Sequence, residues 1–121
     1  MNAAEKAALN EAFRNRTKAA ALRIIRLYQR LPRSGEADVL GKQLLRCATS
    51  VAANYRAACR GRSAAEFFAK ISICVEEADE AQLWLELLGE AGIVPEERLA
   101  DLKQEYLEIV SVLAKARKTA S

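Results

Sequence analysis

The chain has 121 residues, 51% of them hydrophobic and 29% charged, with a formal net charge of +3. This length holds one domain around one core, and this mixture excludes both a disordered chain and a membrane-embedded one. Histidine is absent, which removes the commonest general base, the usual zinc ligand and the Glu-x-x-His pairs of di-iron bundles.

Only two prolines and five glycines interrupt a sequence rich in side chains that lose little freedom in a helix. Four helices are predicted. The first runs from Ala4 to Leu31, with Leu9, Phe13, Ala20, Ile24, Leu27 and Leu31 on one face. Leu31-Pro32 and Ser34-Gly35 end it, because a residue before proline avoids helical dihedrals. The second runs from Ala37 to Arg60, with Leu40, Leu44, Cys47, Val51, Tyr55 and Ala58 in register and Gly61 as the expected left-handed cap.

The third opens on Ser63-Ala64-Ala65-Glu66, a capping box, and carries Phe67, Ile71, Cys74, Ala78, Ala81, Leu85 and Leu88 inward. Gly89 or Gly92 stops it. The fourth has Pro95 in its first turn, followed by Glu96 and Glu97 near the positive helix end. Its stripe is Leu99, Leu102, Tyr106, Ile109 and Leu113, with Lys115, Arg117 and Lys118 near the negative end. Short connections between amphipathic helices predict an all-α, up-down antiparallel four-helix bundle that spans residues 1–121 as one domain.

The N-terminal Met-Asn-Ala-Ala-Glu-Lys has no apolar core of signal-peptide type, and no stretch is long enough to span a bilayer. Three cysteines, an odd number without CxxC spacing, suit a reducing compartment as packing residues. A cytoplasmic location away from membranes is therefore expected.

Charge is divided along the chain. Residues 1–62 hold 13 basic and 4 acidic side chains, a balance of +9, whereas residues 63–121 hold 6 basic and 12 acidic ones, a balance of −6. Such polarity suits pairing between halves, between subunits, or with an anionic partner. On the second helix, Lys42, Arg46, Arg56 and Arg60 share one line opposite the apolar stripe. Two readings of that line stay open: a solvated face, and a ridge for nucleic-acid phosphates. Arg23, Arg26 and Arg30 add cations on one flank of the first helix.

Two apolar strips lie outside the core stripes. Ala21, Leu22, Ile25 and Tyr28 form one on the first helix, either absorbed by tilting within the bundle or set against another subunit. Ile73, Glu77, Glu80, Trp84 and Leu87 form the other, a heptad-like seam on the third. Its two carboxylates are costly to bury unpaired. They are expected in solvent or against arginines such as Arg23, Arg56 or Arg60, and an oligomer that sets the acidic third helix against basic surface satisfies both strips. Asn54, inside a helix among alanines, is expected to hydrogen-bond across the bundle or fix helix register.

Catalytic signatures are missing. There is no GxxxxGK[ST], GxGxxG or GxSxG pattern, and the cysteines lack a histidine partner. The acidic run Glu76, Glu77, Asp79, Glu80 suits a solvated or salt-bridged face better than a metal site. No enzyme, metal or cofactor is expected.

From Leu31-Pro32 onward, the ordered set Gln43-Leu44-Leu45-Arg46, Ser50-Val51-Ala52-Ala53-Asn54-Tyr55-Arg56-Ala57-Ala58, Ser63-Ala64-Ala65-Glu66-Phe67, Glu76-Glu77-Ala78-Asp79-Glu80-Ala81 and Trp84-Leu85-Glu86-Leu87-Leu88 resembles the bacterial four-helix bundle proteins encoded in intervening sequences of 23S rRNA genes. Many members read Asn-Ile-Ala-Glu-Gly where this chain reads Asn54-Tyr55-Arg56-Ala57-Ala58, so a role tied to that glutamate does not transfer. The resemblance implies an up-down bundle assembled into a ring, often a pentamer. It also implies kinship with the accessory subunit of diversity-generating retroelements, a basic barrel that associates with reverse transcriptase and nucleic acid. It implies no catalytic residues. Two functions follow as expectations: a homo-oligomeric scaffold that binds RNA or DNA without reading sequence, and a protein–protein adaptor whose basic and acidic faces pair within the oligomer.

Overall fold

A computed structural model describes every residue from Met1 to Ser121 and places them in four helices with no strand. They are α1 (Ala3–Gln29), α2 (Gly35–Cys59), α3 (Ala64–Glu90) and α4 (Glu96–Ala120). Helix starts follow local chemistry. Asn2 caps α1 by accepting from the Glu5 amide at 2.8 Å, and Ser34 caps α2 by accepting from Ala37 at 3.2 Å. The capping box of α3 forms: the Ser63 hydroxyl accepts from the Glu66 amide, and the Glu66 carboxylate reaches back to the Arg62 amide. Only α4 has no side-chain cap, since Pro95 occupies that position.

The helix ends differ from expectation at Gly61. Among all residues only Gly92 takes a positive φ, at 72°, and α2 ends instead on Arg60 in a right-handed turn. At the end of α3, the Ile93 amide donates to Leu88 O and the Gly92 amide to Gly89 O. This is the double bond of a Schellman motif, with Gly92 at the left-handed position. Gly92 is therefore the stop, and Gly89 lies within α3.

The helices pack in chain order. α3 is the central element, seated deeply against α2 and α4, whereas α1 leans on α2 and barely touches α4. The core is the union of the stripes read from the sequence, and Ile24, Ile71, Leu85, Leu88, Leu99, Tyr106, Ile109 and Leu113 all lie beyond solvent. Phe13 packs edge-on against Tyr55 with ring centroids 4.8 Å apart, which pins α1 to the C-terminal end of α2. Leu9 departs from its expected place and is 56% exposed, because the cover on α1 starts at half-buried Asn10 and buried Phe13.

At the other end α1 and α2 approach closely at Gly41. A Cβ there would lie 2.5 Å from Leu31 Cδ1 and 2.8 Å from Tyr28 Cδ1, so a side chain at this point would hold the helices apart. Across the sparse α1–α4 seam, Arg16 forms a two-pronged bond to Glu105 (2.9 and 2.7 Å) and a third bond to Glu108 at 2.9 Å. The Arg16 guanidinium holds the Glu105 carboxyl below its ordinary pKa.

One buried group is unsatisfied. The hydroxyl of Tyr106 has no hydrogen-bond partner, and burial pushes its pKa up. An orphaned buried hydroxyl costs about 1–3 kcal/mol, while Phe fills the same volume without that penalty. Tyr106→Phe is therefore expected to unfold at an equal or higher urea midpoint, with a gain of up to about 1 kcal/mol. A clear loss of stability in urea titration would show that the hydroxyl is bonded in solution.

Candidate assembly and nucleic-acid surfaces

The structure sorts the cations that the sequence groups together. On α2, Lys42 pairs with Asp38 at 3.1 Å. Arg46 reaches over α3, bonding Glu77 at 2.7 Å and also pairing with Glu80. The ridge is therefore already half neutralised. Arg56 and Arg60 remain exposed and make no ion pair, as do Arg23, Arg26 and Arg30 on α1.

The seam on α3 is resolved by the same contact. Arg46 of the chain itself meets Glu77 and Glu80, rather than Arg23, Arg56 or Arg60, because residues 46, 77 and 80 share the α2–α3 edge. Around Glu80 a small polar network closes. The Cys47 thiol donates to its carboxylate at 3.1 Å and the Trp84 indole N–H donates at 3.0 Å. These donors, with the Arg46 guanidinium, hold Glu80 below the ordinary carboxylate pKa. Burial pushes the Cys47 thiol up to about 12, so it stays protonated at neutral pH. The ligand atoms of Cys47, Glu77 and Glu80 lie within 4.8 Å of one another, and Arg46 supplies the positive charge that this cluster needs.

The strip on α1 is largely spent inside the monomer. Ala21 is buried, and Ile25 and Tyr28 are half-buried. Tyr28 lies over Gly41 and donates to Asp38 at 3.0 Å. What remains outward is Leu22, 42% exposed. It belongs to a groove between α1 and α2 of about 410 Å³, whose lining includes Ile25, Ala52 and Ala53, with Arg14, Lys18 and Arg56 along its rim. On α3, Ile73 and Leu87 are exposed, joined by Leu83. Exposed Glu76 and Asp79 lie among them.

Asn54 bonds locally. Its amide donates to the Ser50 carbonyl at 2.9 Å and to the Ser50 hydroxyl at 3.0 Å, so it ties one turn of α2 rather than bridging helices. Arg14, Lys18, Leu83 and Arg98 join the candidate surfaces only once tertiary neighbours are known. Arg98 follows Glu96-Glu97 in an acidic first turn, and nothing local marks it out.

These surfaces define a class: an up-down helical bundle with a basic, grooved side and an acidic, ridged side. No helix is long and apolar enough to cross a membrane. A profile of the 23S rRNA-intervening sequence protein family matches residues 11–115, and the chain belongs to that family. Among solved structures it is similar to a protein of unknown function from the S23 ribosomal protein family of Bacteroides thetaiotaomicron VPI-5482. The two are 32% identical, with a TM-score of 0.83 over 90% of this chain and 97% of that one. No curated protein matches the chain.

Proposed function

We propose that the chain is a non-enzymatic, homo-oligomeric scaffold that binds nucleic acid through backbone phosphates without reading sequence. One observation carries this reading: charge and apolar surface are divided across the bundle in complementary form. The α1–α2 groove is apolar with a cationic rim, and the outward face of α3 is apolar with carboxylates among its leucines. One copy's ridge suits the next copy's groove. A head-to-tail contact of this kind closes into a ring when the rotation fits, and the family resemblance favours five subunits. Assembly consumes the groove and the ridge, leaving Arg23, Arg26 and Arg30 of α1 outside the contact.

A second reading is a protein–protein adaptor with no role for nucleic acid, the partner being a protein such as a reverse transcriptase. The Arg46–Glu77–Glu80 cluster favours it, since basic and acidic faces already neutralise one another within a single chain. Light scattering of the purified protein, with and without a DNA or RNA duplex at low and moderate salt, separates the two. The scaffold reading expects a multiple of the 13.3 kDa chain mass that gains duplex at low salt and releases it as salt rises. An oligomer indifferent to duplex at low salt supports the adaptor, and a monomer rejects both forms of assembly.

A further inference from the structure

The α1–α4 seam opens, beyond Arg16, into a cleft of about 640 Å³ at the end of the bundle where α1 finishes and α4 begins. Its floor is apolar and includes Leu27, Leu31, Ile93 and Val94. Its walls carry four arginines: Arg23, Arg26 and Arg30 from α1, and Arg98 from α4. None of the four makes an ion pair. Two carboxylates, Glu97 and Asp101, share the rim, so the cations outnumber them two to one.

We propose that this cleft is the docking point for a nucleic-acid strand, with Arg98 closing a cationic clamp on a backbone phosphate opposite Arg23, Arg26 and Arg30. This deepens the scaffold reading and rests on it. Several features argue for the cleft over the α2 ridge. The ridge arginine best placed at its centre, Arg46, is held by Glu77 and Glu80, so binding phosphate there requires breaking two ion pairs. The cleft arginines are unengaged and converge from two helices, which suits a forked guanidinium grip on phosphate oxygens. Residues 23, 26 and 30 lie on one helical face over roughly 10 Å of axis, long enough to follow a strand past one phosphate. The start of α4, uncapped by any side chain, adds the positive end of a helix dipole beside Arg98. The groove proposed for assembly is lined by other residues, so the cleft is separate from it.

The test is fluorescence anisotropy of a labelled duplex of about 20 base pairs against the intact protein across a salt series, with oligomer mass and melting temperature recorded for each variant. Arg98→Gln is expected to weaken binding roughly five- to tenfold near 100 mM salt. It is also expected to lower the slope of log affinity against log salt by about one. Arg26→Gln with Arg98→Gln should lower the slope by about two. Lys6→Gln is the control: it removes one charge from an exposed residue some 20 residues and roughly 30 Å along α1 from Arg26, and should leave affinity and slope unchanged. Duplex binding that is equal in parent and double variant overturns the cleft while leaving the scaffold reading standing. No binding by the parent at low salt overturns both. A calorimetric titration with pyrophosphate forms the second arm. Pyrophosphate binding that Arg98→Gln abolishes, in a protein that ignores duplex, assigns the cleft to a small phosphate ligand and overturns the strand.

Discussion

Leu85→Ala is expected to lower the unfolding midpoint by roughly 10 °C or more, the consequence of losing about 3 kcal/mol from a chain of this size. Leu85 lies on α3, the helix packed on both sides, and is fully removed from solvent together with Ile71, Cys74, Ala78, Ala81 and Leu88 of the same helix. Removing its isobutyl group forfeits the transfer free energy of the side chain and leaves a cavity that two flanking helices cannot both close. The loss should appear as a lower urea midpoint with an unchanged slope, because the surface exposed on unfolding hardly alters. By contrast Leu9→Ala, at an exposed position near the start of α1, should change the stability by less than about 0.5 kcal/mol. Equal costs at the two sites would mean that α3 is not the central element.

The contrast between these two leucines shows what the sequence can and cannot reveal. Periodicity places both on inward stripes, and it is right for Leu85 because partner helices run alongside. It is wrong for Leu9 because a stripe extends as far as the residues allow, whereas burial stops where the neighbours stop. Helix ends divide similarly. Ser63 and Glu66 are legible because both capping partners lie within three residues of one another. Gly61 misleads because glycine permits the left-handed region without requiring it, and the chain uses that freedom only at Gly92.

The surfaces were less legible than the core. The line of Lys42, Arg46, Arg56 and Arg60 is visible in the spacing, but its charge is not. Neutralising Arg46 requires Glu77 and Glu80, more than 30 residues away, and helical spacing carries no information about facing residues. The same limit hides Arg98, which shares a cleft with Arg23, Arg26 and Arg30 only because α1 stands beside α4. For the two acids of the α3 seam the sequence leaves solvent and an arginine partner both open, and the structure pairs them with Arg46. Which arginine pairs with them depends on helix order around the bundle.

The proposed head-to-tail assembly would have a consequence that separates it from a two-fold dimer. Leu22→Glu puts a carboxylate into the groove, where it would meet the acidic ridge of the next copy. Leu87→Arg puts a cation on the ridge, where it would meet the basic rim. Both residues are more than a third exposed in the monomer, so each variant should fold normally while an unpaired charge at a closed interface costs several kcal/mol. Each variant alone is expected to be monomeric by light scattering, because every contact in the proposed ring uses one groove and one ridge. Each nevertheless keeps one intact face: the ridge in Leu22→Glu and the groove in Leu87→Arg. Mixed in equal amounts, they should associate beyond the monomer, since the contact between the intact ridge of one and the intact groove of the other carries neither substitution. A two-fold contact of groove on groove would let Leu87→Arg dimerise by itself, and ridge on ridge would let Leu22→Glu do so. Variants that stay monomeric when mixed would reject the pairing of these two faces, and either variant retaining the parental mass would remove its face from the interface.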